Sequence, residues 1–575
     1  MLFKHWLHKA SSETTNEVLL QVAGVYVDRI DDPDIRGKFA SYLGCRDYRS
    51  ICEYALDYTH VSVSTAQSIR QVQAFFQKRQ DLDLGIDREK AAWETWVKSE
   101  HSCRYENNLW NLGRDGISHF PRGVDSVLHA ASRKIADVLG DVPDLATLRA
   151  RFGPGATTST KRSESHPLNK LSGGFACSEE LASGLIGDCL SELPAWCFTS
   201  DRECESISVG VTPGKLVFVP KNYKTHRGVI IEPVLNTMFQ GGIGEYMAKR
   251  LRKFNVDIRD QSRNQRLALE GSVTNRVATI DLSSASDSIA IGLVADLLPI
   301  DWFLFLSEFR TGSVEYKGRR YEQNKFCSMG NGFTFPLETL LFWSLTWACC
   351  QVLGVSRRDT DRFVSVYGDD IICPVEVVPL LVTTLMNVGF SVNIGKSFCD
   401  GPFRESCGKD YLRGIDIRPT YVKGRLDAMQ LFTLHNQLYA RCEWEMCRYL
   451  RGLLAPQLCL YGPSRFGDGH LHSDFDYLYD SWGHYTPVND PLRPIRKNGY
   501  GGYVFDTFRL APRRVKRVGA GERVLPFYMI YEREGADPLE ETHSSASQKG
   551  AVFVITLPGE ANRRKYVRQS IYTFS

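Results

Sequence analysis

The chain has 575 residues, 43% of them hydrophobic and 24% charged, and a formal net charge of +3. It is too long for a single core, so roughly two to four subdomains are expected; it is too ordinary in composition to be disordered or fibrous, and too near neutrality for total charge to mark a nucleic-acid binder. The 16 cysteines form no paired C-x-x-C units and follow no secretory leader, and no apolar run is long enough to span a bilayer, which excludes a disulfide scaffold and a membrane protein and reads as reduced thiols in a cytosol.

In chain order, Thr14 and Glu17 offer a capping box ahead of Val18, Val22, Val25 and Tyr26, predicting a helix stopped by Asp31, Asp32 and Pro33. A second helical stripe, Leu128, Ala131, Ile135 and Val138, ends at Gly140. From about residue 211 to about 418, short β-prone runs, Gly/Pro turns and intervening helices predict a mixed α/β centre, where the chemistry is to be sought. It opens with three cations within seven residues, Lys221, Lys224 and Arg227, followed by Glu232-Pro233. A solvated basic strand has the same letters, but Lys point charges and an Arg fork suit a polyphosphate.

The β-prone run Val277–Ile280 then delivers Asp281 at its end. Between residues 328 and 338, Ser328, Gly330, Asn331, Gly332 and Thr334 form a loop permitting close backbone approach, and Pro336 opens a helix to about Leu353. Residues 362–373 place Gly368-Asp369-Asp370 between two β-prone runs, which is hairpin grammar. Gly-Asp is ordinary turn chemistry by itself. Asp281 changes the reading, because three gathered carboxylates protonate or bind a cation, hard oxygens suit Mg²⁺, and paired ions serve phosphoryl transfer.

Gly395-Lys396-Ser397 mimics the end of a phosphate loop, but Phe390 stands where that motif needs its first glycine, so a P-loop ATPase is rejected. Lys396 is a candidate proton donor or a plain electrostatic support for phosphates. Cys407 reads as a buried small hydrophobe. Residues 426–454 resume helical character, and 503–508 and 551–557 read as strands, with a Ser-rich loop at 540–550. His470, His472 and His484 lack partner cysteines and are not read as a zinc site. The basic clusters at 513–517 and 563–565 read as solvated surface or as RNA or partner contacts.

Tyr367-Gly368-Asp369-Asp370 resembles motif C of viral RNA-dependent RNA polymerases. Residues 281–287 resemble their motif A, 328–338 motif B, 220–227 motif F, and Lys396 falls where they have motif D. The segment from Phe403 to Arg418 is similar to the replicase catalytic subunits of positive-strand RNA bacteriophages of the Q-beta type, and that likeness extends over roughly residues 202–421.

The resemblance implies an α+β, right-hand polymerase whose palm is an antiparallel sheet backed by helices. Residues 1–140 would be a helical region bracing the fingers, 141–275 fingers, and 276–418 palm with a finger insertion near 300–325. Residues 419–500 would be a helical thumb and 501–575 a strand-rich region. It implies RNA-directed RNA synthesis in the cytoplasm of an infected bacterium. Asp281, Asp369, Asp370 and the Leu282 carbonyl would hold two Mg²⁺ ions, with Mn²⁺ as the substitute.

Lys221, Lys224 and Arg227 would take the triphosphate or the template backbone, Asp287 the ribose 2′-hydroxyl, and Ser328 and Asn331 the nucleotide. Gly330, Gly332, Thr334, Arg404 and Lys409 would meet template or growing RNA, Glu338 would orient the glycine loop, and the bases from Lys249 to Arg266 would extend the channel. Implied partners are template and nascent RNA, ribonucleoside triphosphates, host elongation factors Tu and Ts and a ribosomal small-subunit protein. Two rival readings are a reverse transcriptase and a catalytically dead RNA-binding scaffold; Asp287, where DNA-synthesising relatives use a bulky gate, favours ribonucleotides.

Overall fold

A computed structural model describes residues 9–114, 120–162, 165, 170, 174–193, 208–473, 496–497, 503–510, 513–517, 553–557 and 566–572. The first helix, Ser12–Asp28, starts before the expected box: Ser11 is its cap, accepting from the Thr14 amide. Val18, Val22 and Tyr26 are buried on one face and Val25 only partly. Asp32 accepts from the Asp34 and Ile35 amides and, with Pro33 in the first turn, starts Pro33–Gly44. Arg122–Leu139 buries Leu128, Ala131, Ile135 and Val138 and ends at Gly140, whose φ is 59°.

Two large cores organise the described residues. The central one gathers Arg122–Leu139, Val234–Lys253, Ile291–Leu297, Ile300–Phe309 and Thr334–Val352 around strand residues such as Ala278, Ile280 and Ile371. The second joins Ser12–Asp28 and Val63–Gln77 to Ala428–Tyr439 and Trp444–Leu453, through Leu19, Val22, Ile69 and Phe75 against Leu431, Phe432, Leu434 and Leu450. Backbone ties seal it: Leu426 donates to the Thr15 hydroxyl at 3.1 Å, and Gln71 exchanges two 3.0 Å hydrogen bonds with Thr420. The bracing block expected over 1–140 is therefore divided. Its first four helices pack with residues 422–471, while Arg122–Leu139 packs in the centre.

Three sheets frame the centre. Val277–Ile280, Asp370–Pro374 and Ser365–Tyr367 are antiparallel, with Asp370–Pro374 in the middle. Gly214–Pro220 pairs antiparallel with His226–Ile231 and parallel with Ser313–Tyr316, which turns back through Arg319–Glu322. The 300–325 stretch thus completes the sheet of the basic hairpin. Phe403–Ser406, Lys409–Leu412 and Ile415–Asp416 form the third sheet. Tyr503–Leu510 pairs antiparallel with Tyr566–Tyr572, and Phe553–Leu557 with Arg513–Arg517. The architecture is mixed α+β. Among the described residues no helix is long and apolar enough to cross a membrane. The 540–550 loop, His484 and the 563–565 cluster lie outside the described residues.

Candidate active site

Strand register gathers the acids. Ile371 faces Ile280 across the antiparallel pair, so the next position outward sets Asp370 beside Asp281, and Asp369 occupies the two-residue turn between the hairpin strands. Gly368 takes φ 62° in that turn while Asp369 keeps a negative φ, the pattern of a II′ hairpin. A Cβ on Gly368 would lie 2.4 Å from the Phe335 ring, so the tip rests directly on the Thr334–Val352 helix.

The acids sense one another. Burial, followed by the Asp369 and Asp281 charges, pushes the Asp370 carboxyl up to about 7. The Cys407 amide at 3.2 Å and the Ser406 hydroxyl at 3.4 Å hold it. Burial also raises Asp281, against Lys396 and the Asn393 side-chain amide, which donates to Oδ2 at 2.7 Å. The Asp281 amide donates to Ser397 Oγ at 3.1 Å and its carbonyl accepts from the Asn393 amide at 2.9 Å. Leu282 lies opposite Val392 in the short ladder that brings Asn393 and Ser397 there. Among the described residues no three His, Cys, Asp or Glu side chains form a ready-made metal cage; the donor set is nonetheless hard oxygen, with like charges that a divalent cation would relieve.

The cations divide. Lys221 feels Asp281 and Asp369, though desolvation and the neighbouring Arg227 and Lys396 lower its pKa overall. Desolvation works to lower Lys396 as well, but Asp281, Glu405, Asp370 and Asp369 outweigh it and raise its pKa. Lys224 is not brought to this cluster. Asn222 accepts from the Lys224 and Thr225 amides and turns the loop, so that the Lys224 ammonium lies 5.3 Å from the ring of Tyr223, which is itself buried in the second core.

The glycine loop differs from expectation in what its glycines approach. Gly330 has φ 117°, and a Cβ there would lie 2.0 Å from the Ile230 carbonyl; a Cβ on Gly332 would lie 2.7 Å from the Gln240 backbone. Both glycines are spent on contact with the chain itself, and Ile230 donates to the Met329 carbonyl at 2.8 Å. The Ser328 hydroxyl faces Gln323 Oε1 at 3.4 Å, and Thr334 Oγ1 donates to the Ser328 carbonyl at 2.8 Å. Asn331 Oδ1 accepts from the Phe333 amide at 2.9 Å, while its Nδ2 has no acceptor among the described residues. Burial, then the Asp369 and Asp287 charges, raises Glu338 well above the carboxylate range.

Arg404 requires correction. It is fully buried, and its guanidinium donates to the carbonyls of Val277, Gly401, Phe403 and Cys399 and to Asn275 Oδ1, leaving no donor for RNA. Lys409 is partly exposed and pairs with Asp416 at 2.5 Å. Asp287 is held through Oδ1 by Lys325 at 2.7 Å, a partner not anticipated from the sequence. His470 has both ring nitrogens engaged, by Thr507 and by the Pro463 carbonyl, each at 3.0 Å.

Residues 65–459 match the protein family described as RNA replicase, beta-chain. Over 453 residues the chain is 37% identical to the RNA-directed RNA polymerase subunit beta of Escherichia virus Qbeta, covering 75% of this chain and 74% of that protein. Over 361 residues it is 41% identical to the RNA-directed RNA polymerase subunit beta of Enterobacteria phage SP, covering 62% of this chain and 61% of that protein. The RNA-directed RNA polymerase beta chain of Escherichia phage MS2 is 38% identical over 286 residues, covering 49% of this chain and 51% of that protein.

Proposed function

The chain belongs to the RNA replicase beta-chain family and is an RNA-directed RNA polymerase, and from that premise we propose that it copies a viral RNA genome at the Asp281, Asp369 and Asp370 cluster. The observation that carries the assignment is the register setting Asp370 beside Asp281 with Asp369 in the adjoining turn. In this reading the sheet of residues 277–280 and 365–374 is the palm, the sheet of 214–231 and 313–322 belongs to the fingers, and the helices of 428–453 form the thumb.

Asp281, Asp369, Asp370 and the Leu282 carbonyl would hold two Mg²⁺ ions, or Mn²⁺ in their place. When bound, these ions lower the pKa of the attacking 3′-hydroxyl and stabilise the leaving oxygen. The chain's own residues supply the rest. Lys221, which feels Asp281 and Asp369, takes the triphosphate together with the neighbouring Arg227. Lys396 Nζ, kept protonated by the carboxylates around it, donates a proton to departing pyrophosphate. Asp287 accepts from the ribose 2′-hydroxyl, and Asn331 Nδ2 donates to the nucleotide. Ser328 and Thr334 shape the loop that presents Asn331.

Template-dependent extension is the test. Ribonucleotide incorporation that is lost in Asp369→Asn and in EDTA, and restored by added Mg²⁺, supports the reading. Full activity in Asp369→Asn would show the catalytic centre to be elsewhere, and efficient deoxynucleotide incorporation would favour a reverse transcriptase. Action in the bacterial cytoplasm, with host elongation factors Tu and Ts and a ribosomal protein as partners, is proposed on resemblance. It is tested by comparing synthesis with and without host extract.

A further inference from the structure

Lys325 is fully buried, yet its ammonium stands 2.7 Å from Asp287 Oδ1 and 3.4 Å from Glu100 Oε1. A lone ammonium in such a place would shed its proton. Desolvation works in that direction, and the Asp287 and Glu100 carboxylates outweigh it, so the pKa is raised.

The surroundings fix all three groups. Glu100 Oε2 accepts from the Asn324 amide at 2.6 Å. The same helix, Arg88–Arg114, sends the Cys103 thiol to the Asp287 carbonyl at 3.6 Å and the Asn107 side chain to the Asn324 carbonyl and the Gly292 amide. Arg310 donates to the Gln323 and Lys325 carbonyls, each at 3.2 Å, and Phe326 donates to the Ile289 carbonyl at 2.8 Å. Asp287 sits in the turn Ala285–Ser288, which follows the left-handed Ser284 at φ 53°. Its side chain is 21% exposed, and Oδ2 has no protein donor among the described residues.

We propose that Lys325, backed by Glu100, is a positioning residue for sugar selection: it commits Oδ1 of Asp287 and fixes the carboxylate plane so that Oδ2 meets the 2′-hydroxyl of the incoming nucleotide. This rests on the sugar contact assigned to Asp287 above. An ion-paired carboxylate is an acceptor only, so what it recognises is a hydroxyl proton, which a 2′-deoxyribose lacks. Holding one oxygen removes rotation of the carboxylate, and the hydrogen bond forms without ordering it at the moment of binding.

The experiment compares kcat and KM for ribo- and 2′-deoxyribonucleoside triphosphates on one RNA template, using the full chain and its Lys325→Met variant, which keeps the stem and removes the charge. The expected result is a fall of about tenfold or more in the ribose preference, with the loss falling on the ribonucleotide. Lys325→Arg, which retains the charge, is expected to restore most of that preference. A staple that merely supported the fold would lower both substrates alike, and an unchanged ratio overturns the proposal.

If Lys325→Met does not fold, the double variant with Glu100→Gln removes one of the two stranded charges and is read by the same ratio. Asp287→Ala separates the two levels of argument. A ratio unmoved by Asp287→Ala sinks the sugar contact itself, whereas a ratio moved by Asp287→Ala and not by Lys325→Met sinks only the positioning role.

Discussion

The backbone amide of Gly368 donates to the Thr339 hydroxyl at 2.9 Å, tying the tip of the carboxylate hairpin to the helix that leaves the glycine loop. Thr339→Val keeps the shape and strands that amide, a loss of about 1–3 kcal/mol. Gly368→Ala adds a Cβ at positive φ against the Phe335 ring and is expected to be the worse of the two. Single-nucleotide extension is expected to show kcat falling roughly tenfold or more in Gly368→Ala, with KM for the nucleotide moving less.

Gly330→Ala places a methyl group where the Ile230 carbonyl already stands. The loop must leave strand His226–Ile231, which carries Arg227, so polymerisation and stability are expected to fall together. Denaturant titration alongside the extension assay checks this; a stable, fully active Gly330→Ala protein would contradict the contact.

Arg404→Met separates architecture from RNA binding. It strands several buried carbonyls at once and is expected to destabilise by about 3–5 kcal/mol. The slope of log Kd against log salt for RNA is expected to stay unchanged, because no phosphate contact is lost.

Glu232 sets a pH dependence. Burial pushes its carboxyl from its ordinary 4.5 up to about 7, against hydrogen bonds from Thr311 and Gln240. Between those values the unfolded chain has released the proton and the folded chain keeps it. Its contribution is therefore fully present below pH 4.5, declines as pH rises towards about 7, and is flat above. Glu232→Gln supplies the same acceptor without the charge and is expected to stabilise by on the order of 2–3 kcal/mol at pH 8 and by little at pH 4. Melting curves across that range measure it.

What could be read in advance was local. The Gly368 turn and the strand ending in Asp281 announce themselves through turn chemistry and β-prone runs within a few residues. Asn393 and Ser397 do not, because the Asp281 they hold is 112 and 116 residues away and only the pairing of Ser391–Val392 with Leu282–Ser283 brings them to it. Arg404 misleads for a related reason: an arginine beside an acid cluster looks like an RNA contact until the distant Val277 and Asn275 enclose it. Helical periodicity identified the apolar face of Ser12–Asp28 but carried no sign of what would cover it.

That covering has a temporal side. The Thr15 hydroxyl waits for the amide of Leu426, 411 residues downstream. At ordinary elongation rates the earliest helices emerge with a bare apolar stripe for roughly tens of seconds before their counterpart is made. A chain cut short ahead of residue 426 is therefore expected to keep that stripe uncovered, and the first helices to stay without their partner until the helices of 428–453 have been made.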